Sequence, residues 1–296
     1  VKLAFATGSD SKLFLNLAIL ADSFARHMEG ETLHVCDFGF NEAHRAILTA
    51  TGHLKPAPPH LEKEEHTWKR KAAITDYFTA DDPPPDAVVW FDADMVLLKP
   101  LAAEIRRMAE EMRTAGEDVA VCTDSNGDDI AGFIAANETP ETDLTPFRAL
   151  MEAHGTDPAA PYLNTGFFIL PMGAFATAWG TETLRQAPFL LFEQNTFNAL
   201  AAAPAARIRR LDPAVWNVHG ELLADADASG GGPAAVLHTT SKGAHHTMTR
   251  FNVDLGETAV SGDLKIFARP DLMKVQGDHL MHFLVTHQAL VAEFGV

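Results

Sequence analysis

Residues 87–96 read Ala87-Val88-Val89-Trp90-Phe91-Asp92-Ala93-Asp94-Met95-Val96. An uninterrupted apolar run with two valines predicts a short strand buried on both faces, the kind found in parallel sheets covered by helices. The run stops at two carboxylates. On an extended chain, side chains two residues apart share a side, so Asp92 and Asp94 are expected to face one point just beyond the strand's C-terminal end. Open α/β sheets place their ligands there. Paired hard oxygen donors at such a point suit Mn²⁺ or Mg²⁺. A solvated turn would use the same residues, but charges beside a buried strand must be paired, coordinated or hydrated.

Outward from this segment the chain alternates strand and helix patterns. Leu3 to Thr7 is apolar, ends in Gly8-Ser9-Asp10, and leads into Leu13, Leu17, Leu20, Phe24 and Met28 at helical spacing. Thr32 to Phe38 predicts a second strand, with Asn41 capping the next helix. His66 to Phe78 is expected as one amphipathic helix with Trp68, Ala72, Thr75 and Phe78 on one side and a basic cluster, Lys69-Arg70-Lys71. Leu101, Ile105, Met108 and Met112 predict another helix, and Val119 to Thr123 another strand. Further on, Gly166 to Leu170, Arg207 to Leu211 and Ala235 to His238 read as strands, and Glu193 to Ala203 as a helix. The fold class is α/β with a mostly parallel central sheet. Residues 1–224 form the expected main domain. Residues 225–296, after the glycine-rich connection ending at Gly232, are a helical or irregular elaboration packed on it.

The 296 residues carry 40 acidic and 23 basic side chains, a net charge of −17. That field repels nucleic acid and anionic membranes, so a polyanionic ligand needs a local device to bring it in. Two cysteines, Cys36 and Cys122, lack metal-site spacing and read as free thiols, which points to a reducing, cytoplasmic setting. The most apolar later stretch is broken by Pro171 and Gly173, and no transmembrane segment is expected.

Several segments together resemble the nucleotide-sugar glycosyltransferases of the GT-A fold, in particular the retaining family 8. They are Phe5-Ala6-Thr7-Gly8-Ser9-Asp10, Lys71, Phe91-Asp92-Ala93-Asp94 with Lys99-Pro100-Leu101, Tyr162-Leu163-Asn164-Thr165-Gly166, Glu193-Gln194-Asn195 with Asn198, Trp216-Asn217, and His238 after a short apolar strand. The resemblance covers roughly residues 1–245. It implies a transferase that moves a sugar from a nucleoside diphosphate donor, with UDP the expected nucleotide, to a carbohydrate or other hydroxyl acceptor, with retention. It implies metal ligation by Asp92, Asp94 and His238, and a catalytic centre of Asp92, Asp94, Glu193 and Gln194. The donor would be held by Ala6, Thr7, Asp10, Lys71, Asp92, Ala93, Asn164, Thr165, Gly166, Gln194 and Lys242. The late motif departs from the family: His238-Thr239-Thr240-Ser241-Lys242-Gly243 places the lysine before the glycine and lacks the Pro-Trp.

Two other functions use the same residues. Asp92-Ala93-Asp94-Met95-Val96 fits the nucleophile strand of a haloacid-dehalogenase-type phosphatase, although that class carries its nucleophile near the N-terminus and here 91 residues precede it. A non-catalytic nucleotide-sugar-binding domain is the other. The later histidines, His245, His246, His279 and His282, have loosely metal-like spacing, but the 278–287 stretch reads equally as a terminal helix with Leu280, Phe283 and Leu284 inward.

Overall fold

The computed structural model describes residues 1–124, 128–240, 245–256 and 259–294. Its strands are β1 (Leu3–Ser9), β2 (Leu33–Asp37), β3 (Leu54–Lys55), β4 (Ala87–Phe91), β5 (Met95–Leu97), β6 (Val119–Thr123), β7 (Leu163–Pro171), β8 (Ile208–Leu211), β9 (Val236–His238), β10 (His246–Asp254) and β11 (Ala259–Phe267). The α-helices are α1 (Phe14–His27), α2 (Glu42–Ala50), α3 (Thr67–Ala72), α4 (Ala102–Ala115), α5 (Ile130–Asn137), α6 (Thr145–His154), α7 (Ala174–Arg185), α8 (Phe192–Ala201), α9 (Pro213–Trp216), α10 (Pro270–Thr286) and α11 (Gln288–Phe294). Seven strands form the central sheet in the order β3-β2-β1-β4-β7-β6-β8. All pairings are parallel except those of β7, which runs antiparallel to both β4 and β6.

Strand alternation explains why the sheet is covered on both sides. Val89 and Phe91 of β4 join one apolar cluster with α1, α4 and α10, while Val88 and Trp90 join a second with Trp179 of α7 and Phe197 of α8. Two buried faces are what an uninterrupted apolar run requires. Asn41 caps α2 as expected, its side chain accepting from the His44 amide.

Three local expectations are revised. The 66–78 segment is not one helix. It is α3 followed, across Ala73, by a 3-10 turn over Ile74–Phe78, and Trp68 is 37% exposed instead of facing the core with Phe78. The tighter pitch rotates the second half relative to the first. Asp92-Ala93-Asp94 is a turn, not an extension of β4: the Met95 amide donates to the Asp92 carbonyl at 3.1 Å before β5 begins. The C-terminal elaboration contains a long antiparallel hairpin, β10–β11, besides helices. Its alternation is weak in the sequence because β10 is half-exposed along its length.

β9 does not enter the central sheet. It pairs antiparallel with β5, placing His238 opposite Met95. The hairpin is tied to α1 through the Asn16 amide, which bonds both the backbone N–H and C=O of Lys265, and to α10 through Gln276. Cys36 and Cys122 are buried free thiols. Among the described residues, no helix is long and apolar enough to cross a membrane.

Candidate active site

The turn after β4, the end of β9, the start of β7 and the start of α8 meet at one cleft of about 260 Å³. The turn lets both carboxylates converge without an extended chain. Ligand atoms of Asp92, Asp94 and His238 lie within 4.8 Å of one another. His238 Nε2 is 3.1 Å from Asp94 Oδ1 and 3.6 Å from Asp92 Oδ2.

The tautomer of His238 follows from a chain of hydrogen bonds that starts at a backbone group of known polarity. The Gly166 N–H donates to Asn164 Oδ1 at 2.9 Å, so that atom is an oxygen and an acceptor. Asn217 Nδ2 donates to the same oxygen at 2.8 Å. Asn217 Oδ1 therefore faces His238 Nδ1 at 2.8 Å, and the ring must carry its proton there. In the neutral ring Nε2 then presents a lone pair to two carboxylates, whereas in the charged ring it donates to Asp94 Oδ1 at 3.1 Å. A proton on Nε2 or a cation among the three groups relieves that contact, and the mixed nitrogen–oxygen set is one that Mn²⁺ accepts. The residues thus fit a divalent metal.

Two lysines supply positive charge at the same point. Lys71 Nζ of α3 is 2.8 Å from Asp92 Oδ1, which also accepts from Trp90 Nε1 at 2.7 Å. Lys265 Nζ of β11 is 2.8 Å from Asp94 Oδ2. Burial alone would raise the Asp94 carboxyl, but His238 and Lys265 hold it well below the usual carboxylate range. Burial alone would lower both lysines, and their carboxylate partners, Asp92 and Glu193 for Lys71 and Asp94 for Lys265, raise them instead. Burial pushes the Glu193 carboxyl up to about 7, against the pull of Lys71 at 4.0 Å.

Placement separates the expected donor-binding residues. Asp10, Lys71, Asp92, Ala93, Asn164, Thr165 and Gln194 line the cleft, with Gly8, Ser9 and Phe38. Ala6 and Thr7 are wholly buried in β1, one step behind that wall. Gly166 lies beneath the His238 ring: a Cβ there would sit 2.6 Å from Cε1. Lys242 lies outside the described residues. Gln194 Oε1 accepts from the Thr165 amide at 3.2 Å, joining α8 to β7. Asn198 holds the same two elements together, bonding both backbone groups of Leu163.

None of the late histidines joins the Asp92, Asp94 and His238 group. His279 Nδ1 is 2.7 Å from Asp22 Oδ2, and His282 Nδ1 also bonds the Asp22 carboxylate, so these rings fasten α10 to α1. His245 pairs with the exposed Glu221. Lys265 is the residue that sequence reasoning missed. It lies in a half-exposed strand 171 positions from Asp94, and no local pattern marks it.

By sequence, the chain matches no family model and no curated protein. Solved structures do match. The apo structure of WbbM, a bifunctional glycosyltransferase, aligns over 81% of this chain and 46% of its own, with 12% identity and a TM-score of 0.56. The glycosyltransferase GlyE from Streptococcus pneumoniae TIGR4 aligns over 99% of this chain and 64% of its own, at 14% identity and a TM-score of 0.54. An active-site mutant of LgtC aligns over 79% of this chain and 86% of its own, at 14% identity and a TM-score of 0.50. This chain spans less than two thirds of the first two. The phosphatase reading is not favoured, because the architecture matched is that of glycosyltransferases. The mixed, mostly parallel seven-stranded sheet flanked by helices matches that of the GT-A glycosyltransferases, and GT-A is the fold of this chain.

Proposed function

We propose that the protein is a metal-dependent glycosyltransferase that moves a sugar from a nucleoside diphosphate donor, UDP in our reading, to a hydroxyl acceptor with retention. The observation that carries the reading is the convergence of Asp92, Asp94 and the oriented His238 Nε2 at the rim of a GT-A sheet. Residues 1–224 would form the catalytic domain, and residues 225–296 complete it by contributing His238 and Lys265. The retaining outcome rests on the resemblance to family 8.

Asp92, Asp94 and His238 would hold the divalent cation, Mn²⁺ or Mg²⁺. When bound, that ion offsets the donor's diphosphate charge and stabilises the departing nucleoside diphosphate. The chain's own residues do the rest. Lys71 and Lys265 add two point charges that draw a polyanion into a protein of net charge −17. Gly8 to Asp10 form the wall beside the end of β1, where a nucleoside would lie. Asn164 and Gln194 would present their amides to the donor sugar, with Glu193 at the edge of the cleft shared with the second substrate.

Calorimetric titration with UDP in the presence of Mn²⁺, and again with EDTA, tests the reading. Binding should weaken at least about tenfold in EDTA, equivalent to about 1.4 kcal/mol. Asp94→Asn should keep the fold and lose the metal-dependent part of that affinity, since an amide is a poorer ligand for a hard cation. Equal affinity with and without metal sinks the proposal.

A further inference from the structure

The wall of the cleft formed by α3 and the start of α8 is not used by the metal set. Trp68 lines the cleft and is 37% exposed, whereas Trp90, Trp179 and Trp216 are buried. It stands three residues before Lys71, on the same side of α3. Its ring is supported from behind by Phe192 at 5.6 Å and His66 at 5.5 Å between centroids. His66 in turn meets Phe192 edge-on at 4.7 Å, so the three rings brace one another. Beside Trp68, Leu191 also lines the cleft and holds φ at +46°, a left-handed conformation that a branched aliphatic residue rarely adopts. Strain of that kind persists where the surroundings enforce it.

A second observation comes from the next turn of chain. Glu193, 4% exposed, also lines the cleft, and its Oε1 is buried with no hydrogen-bond partner among the described residues. A buried, unmatched carboxyl oxygen calls for a donor from outside the chain. The wall therefore offers a flat aromatic face and an aliphatic edge, and next to them an acceptor that lacks a hydroxyl. A pyranose ring has the matching form, with an apolar C–H face and a rim of hydroxyls. A nucleobase would also match the ring and could donate an N–H to Glu193, but in our reading the nucleoside lies against Gly8 to Asp10.

We propose that Trp68, flanked by Leu191 and Glu193, is the platform on which the acceptor binds, and that the acceptor is a pyranoside. The inference rests on the transferase reading given above and adds the chemical class of its second substrate. Trp68 is exposed because this surface is completed by the ligand, which is why a helix pattern that places it in the core fails here.

The test uses the full chain as wild type, Trp68→Ala and Trp68→Phe. Methyl β-D-glucopyranoside, methyl β-D-galactopyranoside and methyl α-D-mannopyranoside serve as probes in saturation-transfer NMR with Mn²⁺ and UDP present. At least one probe should bind the wild type, with the protons of one ring face saturated most. Trp68→Ala should weaken that binding about tenfold, or 1.4 kcal/mol, and Trp68→Phe should restore most of it. UDP affinity should be unchanged in both variants. Indole fluorescence should shift on glycoside addition in the wild type and not in Trp68→Phe. The proposal is overturned if no probe binds, if Trp68→Ala binds glycosides as wild type does, or if it loses glycoside and UDP in parallel, which would place Trp68 in the nucleotide site. Failure of wild type to bind UDP while glycosides still bind through Trp68 would remove the transferase reading alone.

Discussion

Asn217→Leu isolates the link between the scaffold and the candidate metal set. Asn217 is fully buried and makes two side-chain bonds of 2.8 Å, one to Asn164 Oδ1 and one with His238 Nδ1. Leucine keeps the branched skeleton but is bulkier and can make neither bond, so some overpacking cost adds to the loss. Asn164 Oδ1 keeps the Gly166 amide, so its loss is small. His238 Nδ1–H keeps nothing, and orphaning a buried donor costs about 1–3 kcal/mol. The ring also loses the contact that sets its tautomer, and such outer contacts are worth roughly 10- to 100-fold in metal affinity. Urea denaturation should therefore show a loss of about 1–3 kcal/mol, and Mn²⁺ titration followed by electron paramagnetic resonance should show a dissociation constant raised about 10- to 100-fold. Asn217→Asp keeps an oxygen at Nδ1 and should retain more of the affinity than leucine does. Mn²⁺ affinity unchanged in a folded Asn217→Leu protein would refute the hydrogen-bond relay from Gly166 to His238 Nε2.

Three further outcomes follow from the same geometry. Gly166→Ala puts a Cβ 2.6 Å from His238 Cε1 and 2.9 Å from Met95 Cε, and because Asn217 holds the ring, stability should fall by about 1–3 kcal/mol and Mn²⁺ binding should weaken in the same titration. Glu193 ionises at about 7 in the fold against 4.5 for the free side chain. Between those pH values the folded chain holds a proton that the unfolded chain has released, so this group's contribution falls as pH rises. Glu193→Gln should therefore gain stability on the wild type as pH goes from 5 to 8, by up to about 3 kcal/mol in urea melts; a difference independent of pH contradicts this. Lys265→Met removes the cation that competes for Asp94 Oδ2 and should tighten Mn²⁺ binding about tenfold when nucleotide is absent, read by calorimetry; weaker binding would mean that Lys265 organises the site instead of occupying it.

Some of this protein was legible in short windows because the physics that decides it is local. The apolar run Ala87 to Phe91, the three-and-four spacing of Leu17, Leu20 and Phe24, and Asn41 before α2 set element type through side-chain period and capping, which need no knowledge of distant contacts. The Asp92/Asp94 pair marked the end of β4, but the two carboxylates converge through a turn and not through the period of an extended strand. The order of motifs then pointed to His238. Where two halves of one pattern compete, local reading failed. The 66–78 segment satisfies a helical period, yet it changes pitch at Ala73, because Lys71 must reach Asp92 while Phe78 must enter the core.

The tertiary structure alone decided which distant groups share a cleft. Lys265 reaches Asp94 only because Asn16 of α1 clamps its backbone, and nothing within ten residues of either end records that contact. His279 and His282, metal-like by spacing, became fasteners for Asp22 once α10 packed on α1. Asn217 gained its purpose from two partners 21 and 53 residues away. Period and capping act over a few residues, whereas desolvation and hydrogen-bond polarity act between whatever side chains the packed sheet and hairpin bring within about 3 Å. Element types and the carboxylate pair belong to the sequence; the orientation of His238 and the exposed face of Trp68 belong to the fold.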